Sequence, residues 1–189
     1  MIAPSPWPGN LAKWEFGKYV EPPEVTVMDQ AMIQELQQQF VDAVGRCVNA
    51  GFDAVTIHCG HGWLLTQFVS PVFNQRTDEY GGSFENRCRF PLEILRKIKE
   101  TYGDRIALGI RVNGSTRTNP DSGELSDEDL VRFAQKCAEY ADWCNVSASW
   151  NPYGESVEYM LSLIHIFSPH FLQGPETYPA DPAAYKLTL

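Results

Sequence analysis

Three short runs of strand character, each preceded by a stretch of helical apolar spacing, dictate the architecture of this chain. From Asp29 onward Ile33, Leu36, Phe40, Val44 and Cys47 recur at three- and four-residue steps, which predicts a helix with one buried stripe that stops at Gly51. Ala54 to Ile57 follows as a short β-branched strand, expected to be buried on both faces. A second helix is predicted from Ser83 to Thr101, with Phe84, Cys88, Leu92, Leu95 and Ile98 on one face, Pro91 inside it and Gly103 at its end. Ile106 to Val112 reads as the next strand. Ser126 then reads as an N-cap, with Asp127, Glu128 and Asp129 suited to the positive first turn of a third helix whose apolar face is Phe133, Ala134, Cys137 and Ala138. Trp143 to Ala148 makes a third strand. Alternation of helix and strand, joined by right-handed crossovers, implies a parallel sheet covered by helices, so the class is α/β.

Two segments break the rhythm. The first 25 residues hold Pro4, Pro6, Pro8, Pro22 and Pro23, a density that excludes helix or central strand and predicts an ordered loop or an edge. From His58 to Gly82 there is no helical or strand periodicity over roughly 25 residues, where a connection from strand to helix usually takes about 2–6. A loop that long is normally functional, and this one leaves the carboxyl end of a strand, the ligand side of parallel α/β sheets and barrels.

Composition removes several classes of function. A net charge of -9, from 15 Lys+Arg against 24 Asp+Glu, repels nucleic acid and anionic membranes on average, so neither is expected as a partner. The longest apolar runs, such as Met160 to Phe167 with Ser162 and His165 in it, fall far below the ~18 residues of a membrane span. The start, Met1 to Pro8, has neither the basic nor the apolar region of a signal peptide, and the expected location is cytoplasmic. Five scattered cysteines with no C-x-x-C pair read as reduced, mostly buried thiols.

At the mouth of the first strand the chain reads Ile57-His58-Cys59-Gly60-His61-Gly62-Trp63. Glycines let the backbone turn sharply there, so His58 and His61 can aim at one point above the sheet. Two imidazole N–H donors converging on a carbonyl oxygen polarise it and stabilise developing enolate charge, as an oxyanion hole does. Taken alone, the pair also fits loop histidines satisfied by backbone groups, or a metal site completed by Cys59 or a carboxylate. Cys59 points away from its neighbour in an extended segment, which weakens the metal alternative.

The stretch from Ala50 to Phe90, running through the histidine pair, Gln67-Phe68, Ser70-Pro71, Arg76-Thr77-Asp78-Glu79-Tyr80-Gly81-Gly82-Ser83 and Glu85-Asn86-Arg87, closely resembles the Old Yellow Enzyme family of flavin oxidoreductases. It looks most like the branch of 2,4-dienoyl-CoA reductase and 2-enoate reductase. The resemblance implies a TIM (β/α)8 barrel that binds FMN, takes hydride from NAD(P)H and passes it to an activated alkene such as an α,β-unsaturated carbonyl. It implies that His58 and His61 grip the substrate carbonyl and that Arg111, in Leu108-Gly109-Ile110-Arg111-Val112, lies against the flavin and stabilises its anionic reduced ring. A buried strand-end arginine needs a partner, and the residue-level alternative is an ion pair with Asp53 or Glu85. Where relatives carry a proton-donating tyrosine this chain has Trp63, whose indole N–H is no general acid; loss of a positioned acid costs ~10²–10⁴ in rate unless water or another residue supplies the proton. Arg76, Asp78, Tyr80, Glu85, Asn86 and Arg87 are expected to be structural ties of the long loop. The start resembles the segment after the family's third strand, placing Ala3-Pro4-Ser5 near the substrate pocket.

The resemblance covers residues 1–160 and accounts for strands four to six of eight with their helices, an incomplete barrel, set against the ~250 residues of a closed one. An open sheet of this kind is expected to bare one side of its core. Residues 161–189 form a separate tail, and Leu161-Ser162-Leu163-Ile164-His165-Ile166 matches the translation of a common sequencing-transposon end, with an ordinary amphipathic strand as the alternative. Longer relatives imply FAD and an iron–sulfur cluster in further domains, and the full-length protein is open to oligomerisation. The rival expectations are a catalytically inactive fragment or interaction module that binds no flavin, and a metal-dependent barrel hydrolase built on His58 and His61.

Overall fold

The computed structural model describes residues 1–7, 24–114 and 125–147, and in addition the backbone of three strands at 13–15, 18–20 and 162–165. The proline-rich start forms two small ladders. Strand β1 (Ile2–Ala3) pairs in parallel with β4 (Thr26–Val27), and β2 (Lys13–Glu15) pairs antiparallel with β3 (Lys18–Val20). Neither belongs to the main sheet, in keeping with the exclusion of proline from central strands.

Helix α1 (Gln30–Asn49) begins where the sequence places it, because the Asp29 carboxylate caps it by accepting from the Met32 N–H at 2.8 Å. Its most buried residues are Ile33, Gln37, Val41 and Val44, so the stripe runs one step round from the Leu36 and Phe40 expected, which are half-buried at its flank. Gln37 enters the interface because its amide is fully answered, donating to Glu93 at 2.7 Å and accepting from Lys97 at 2.6 Å. Helix α3 (Phe84–Tyr102) is capped by Ser83 and packs against α1, with Pro91 buried inside it. Helix α4 (Asp127–Cys137) is capped by Ser126, with three acidic residues in its first turn.

The main sheet is ordered β5 (Ala54–Cys59), β6 (Ala107–Asn113), β7 (Trp143–Ser147), β8 (Ser162–His165). The first three are parallel, as crossovers through α3 and α4 require, and β8 joins antiparallel on the far side of β7. Parallel strands joined by helical crossovers are the repeating unit expected of a (β/α)8 barrel, and among the described residues the sheet does not close.

Register divides the sheet into two faces. Ile57, Ile110 and Cys144 share one row, Cys59, Val112 and Val146 another, and these lie in the core under the helices. The opposite face carries Thr56, Gly109 and Trp143 in one row and His58, Arg111 and Asn145 in the next, with Asn113 opposite Ser147 beyond them. Two expectations are thereby corrected. Strand β5 is not buried on both faces: Ala54, Thr56 and His58 are exposed, since β5 is an edge and only one of its faces meets helices. Nor, among the described residues, does the face without helices present the core, since beside Ala54, Ala107, Gly109 and Trp143 it carries Thr56, His58, Arg111, Asn113, Asn145 and Ser147.

The long connection also contains a helix that periodicity did not reveal, α2 (Leu64–Val69), which buries Leu65, Phe68 and Val69 and ends at Ser70 before Pro71. The remainder is tied down by the motif residues. Arg76 forks onto Asp78 and donates to the carbonyls of Pro4 and Met28, and Arg87 donates to the Val69 carbonyl at 2.8 Å. Tyr80 donates to Glu93 at 3.0 Å, while Asn74 reaches the carbonyls of Phe68 and Tyr80. Ala3, Pro4 and Ser5 are buried against this loop, with Ser5 Oγ accepting from the Gln75 N–H at 2.8 Å. The expected structural role holds for Arg76, Asp78, Tyr80 and Arg87, whereas Glu85 and Asn86 meet Arg132 and Arg89 at the surface instead of fastening the loop.

Candidate active site

His58 is the penultimate residue of β5 and projects from the polar face, in register with Arg111 on β6. Three residues later the chain doubles back. His61 and Gly62 take left-handed φ values of 57° and 74°, and the Trp63 N–H closes the turn on the Gly60 carbonyl at 3.3 Å. A histidine in that conformation costs more than a glycine and has to be held. Asn113 holds it, its Oδ1 accepting from the His61 N–H at 2.9 Å. Gly60 leaves room for the approach, since a Cβ there would lie a tight 3.1 Å from the same Oδ1.

The turn delivers the His61 ring beside that of His58, centroids 5.1 Å apart and edge to face. His61 Nε2 lies 2.6 Å from Ser147 Oγ at the end of β7, and the same hydroxyl accepts from Arg111 Nη2 at 3.4 Å. Partial desolvation lowers both imidazole pKa values, and the Arg111 charge lowers them further, so both rings are predominantly neutral at pH 7. A neutral imidazole carries one N–H donor and one acceptor. The cluster therefore offers two neutral donors and one permanent cation at the carboxyl ends of adjacent parallel strands.

His58, His61 and Arg111 are thus brought together as the sequence predicted. Trp63 stands apart in character: it occupies the N-cap position of α2 without capping it and is 64% exposed. Cys59 lies in the core on the other sheet face, which removes it from any metal set with His58 and His61. Glu85, one counter-ion considered for Arg111, pairs with Arg132 at 3.1 Å instead. Three residues of the cluster escaped sequence reasoning, namely Asn113, Asn145 and Ser147. Their signal was a polar residue at every second position of strands whose alternate residues are Ile110, Val112, Cys144 and Val146.

Residues 8–149 match the NADH:flavin oxidoreductase / NADH oxidase family. The chain belongs to that family. It is 44% identical over 110 residues to an NADH oxidase of Thermoanaerobacter brockii, covering 58% of this chain and 16% of the relative. It is 43% identical over 108 residues to an NADPH dehydrogenase of Bacillus subtilis, covering 57% of this chain and 30% of the relative. Among solved structures it resembles histamine dehydrogenase from Rhizobium sp. 4-9, at 33% identity and a TM-score of 0.66 over 77% of this chain and 20% of that one. The chain thus spans under a third of the length of these relatives.

This flavin oxidoreductase family implies FMN and a nicotinamide reductant, and the residues present fit a flavin. On the polar face Asn113 Nδ2 and Asn145 Oδ1 are buried with no hydrogen-bond partner among the described residues, a donor and an acceptor left over beside the Arg111 guanidinium. Such orphans are costly in isolation and would suit a planar ring that carries both acceptors and an N–H.

Proposed function

We propose that this chain supplies the carbonyl-gripping side of an FMN-dependent ene reductase of the Old Yellow Enzyme type, acting on α,β-unsaturated carbonyl compounds at the expense of NAD(P)H. The observation that carries the reading is the juxtaposition of the two neutral imidazoles with Arg111 on one polar sheet face. Bound FMN would relay hydride from the nicotinamide to the β-carbon of the alkene. Arg111 would hold the flavin, with a fixed positive charge that favours an electron-rich ring. His58 and His61 would donate to the substrate oxygen, where each positioned donor is worth ~2.7–4 kcal/mol once enolate charge develops. Neutrality suits this task, because a neutral ring donates without trapping the product oxygen as a salt. Trp63 can stack on a substrate but cannot yield a proton, so the α-carbon proton comes from water or another residue.

The test is a titration of the chain with FMN, read as quenching of flavin fluorescence, alongside enone-dependent oxidation of NADPH. Arg111→Ala should weaken FMN binding, whereas His58→Ala should leave it intact and raise KM for the enone. An unchanged rate in Trp63→Tyr would show that this position does not limit turnover. A chain that takes up a stoichiometric metal and no flavin overturns the proposal.

A further inference from the structure

The hydroxyl of Ser147 joins two groups that make opposite demands on it. It is fully buried, 2.6 Å from His61 Nε2 and 3.4 Å from Arg111 Nη2. A guanidinium can only donate, so towards Arg111 the serine oxygen is the acceptor. With two lone pairs the oxygen could also accept from His61, but its own buried proton would then have no acceptor among the described residues, where Nε2 is the only one in reach; pairing that proton requires Nε2 to present a lone pair. The ring is neutral, and its one proton therefore resides on Nδ1. Asn113 completes the restraint from the neighbouring strand: it is the register partner of Ser147 and fixes the His61 backbone through the N–H. Ring and backbone of one loop residue are thus clamped by the last residues of β6 and β7.

We propose that Ser147 is a positioning residue that locks His61 in the Nδ1–H tautomer, so that Nδ1 and not Nε2 is the donor this histidine offers to a ligand. The inference deepens the reading of His61 as a carbonyl donor and rests on it for its functional meaning, but its test needs neither flavin nor substrate. A solvent-exposed imidazole prefers the proton on Nε2, so the lock reverses an intrinsic preference and leaves a distinct spectroscopic signature.

The experiment is ¹⁵N NMR of the full chain labelled at histidine, recorded above the imidazole titration range, with the His61 signals assigned by His61→Gln. In the unaltered chain His61 Nδ1 should resonate as a protonated nitrogen and Nε2 as a hydrogen-bonded acceptor. Ser147→Ala should shift the equilibrium back towards Nε2–H, and Ser147→Thr, which keeps the hydroxyl, should restore Nδ1–H. A protonated Nε2 in the unaltered chain overturns the proposal without any variant, and so does an unchanged tautomer in a folded Ser147→Ala. Failure of FMN titration with the Nδ1–H signature intact would count against the catalytic reading alone.

Discussion

Asn113 Oδ1 accepts the N–H of His61 at 2.9 Å, so the residue that closes strand β6 holds the left-handed turn that follows β5. Without that acceptor the His61 N–H loses its partner while the backbone stays in a region that favours glycine. Asn113→Ala should therefore destabilise the chain by about 1–3 kcal/mol. Asn113→Asp, which keeps an acceptor, should cost less. Denaturant midpoints for the two variants check this, and equal losses would show that the acceptor is unimportant.

The two imidazoles should titrate below the ordinary value of 6.5, for burial first and for the Arg111 charge second. A histidine whose folded pKa is depressed contributes stability that is fully present above the unfolded value and is lost as the pH falls below it towards the folded one. Arg111→Gln removes the cation and leaves the burial, so both pKa values should rise without regaining the ordinary value. Proton NMR titration of the Cε1–H signals checks the direction. No movement of either ring would remove Arg111 from their electrostatic surroundings.

Much of this arrangement was legible in the chain. Apolar spacing announces the first two long helices and the Ser126 cap the third, and the caps at Asp29 and Ser83 fall where that spacing begins because a capping oxygen is a local device, satisfied within three residues. His58, His61 and Arg111 were legible through a long motif, not through their spacing. Helix α2 was missed because its six residues are too few for a periodic signal and Trp63 gives no capping bond. Burial of Gln37 was missed for a different reason: only the partners Glu93 and Lys97, some sixty positions away, make it affordable. Asn113 and Ser147 belong to the same class, since their roles depend on strand register, which no local pattern records.

Arg76 fastens the long loop to the start of the chain, forking onto Asp78 and reaching the carbonyls of Pro4 and Met28. Its hydrogen bond to Asp78 holds that carboxyl below the ordinary 3.8, against the opposing effect of burial. The contribution is then fully present above that value and is lost as the pH falls through the lower folded one. Arg76→Ala should cost roughly 1.5–3 kcal/mol at neutral pH. The gap from the unaltered chain should narrow in acid, where Asp78 takes up its proton. Acid titration of stability checks this, and a gap independent of pH would place the effect on the carbonyl bonds alone.

Four of the five thiols, Cys59, Cys88, Cys137 and Cys144, are buried, and Cys47 is half-buried. Burial pushes Cys88 and Cys144 up to about 12 and raises Cys59 and Cys137 as well. Only the thiolate reacts, so these groups are shielded both by packing and by protonation. Labelling with a disulfide reagent under native conditions should show Cys47 reacting first, with the other four following only as the chain opens. Rapid modification of more than one thiol would contradict the packing of β5, α3, α4 and β7 around them.

Gly109 and Trp143 face each other across β6 and β7, one row beneath Arg111 and Asn145. A Cβ on Gly109 would fall 2.1 Å from the indole Cε2 and 2.4 Å from Cζ2, so the glycine exists to let the ring lie over the strand. Gly109→Ala forces the indole aside and should destabilise the chain by about 1–3 kcal/mol. The cost belongs to the pair, not to the backbone, because no positive φ is required at this position. In a Trp143→Ala background the added methyl has space, and its penalty should largely vanish. A double-mutant cycle by denaturant unfolding measures that coupling, and additive effects would show that the indole does not rest on Gly109.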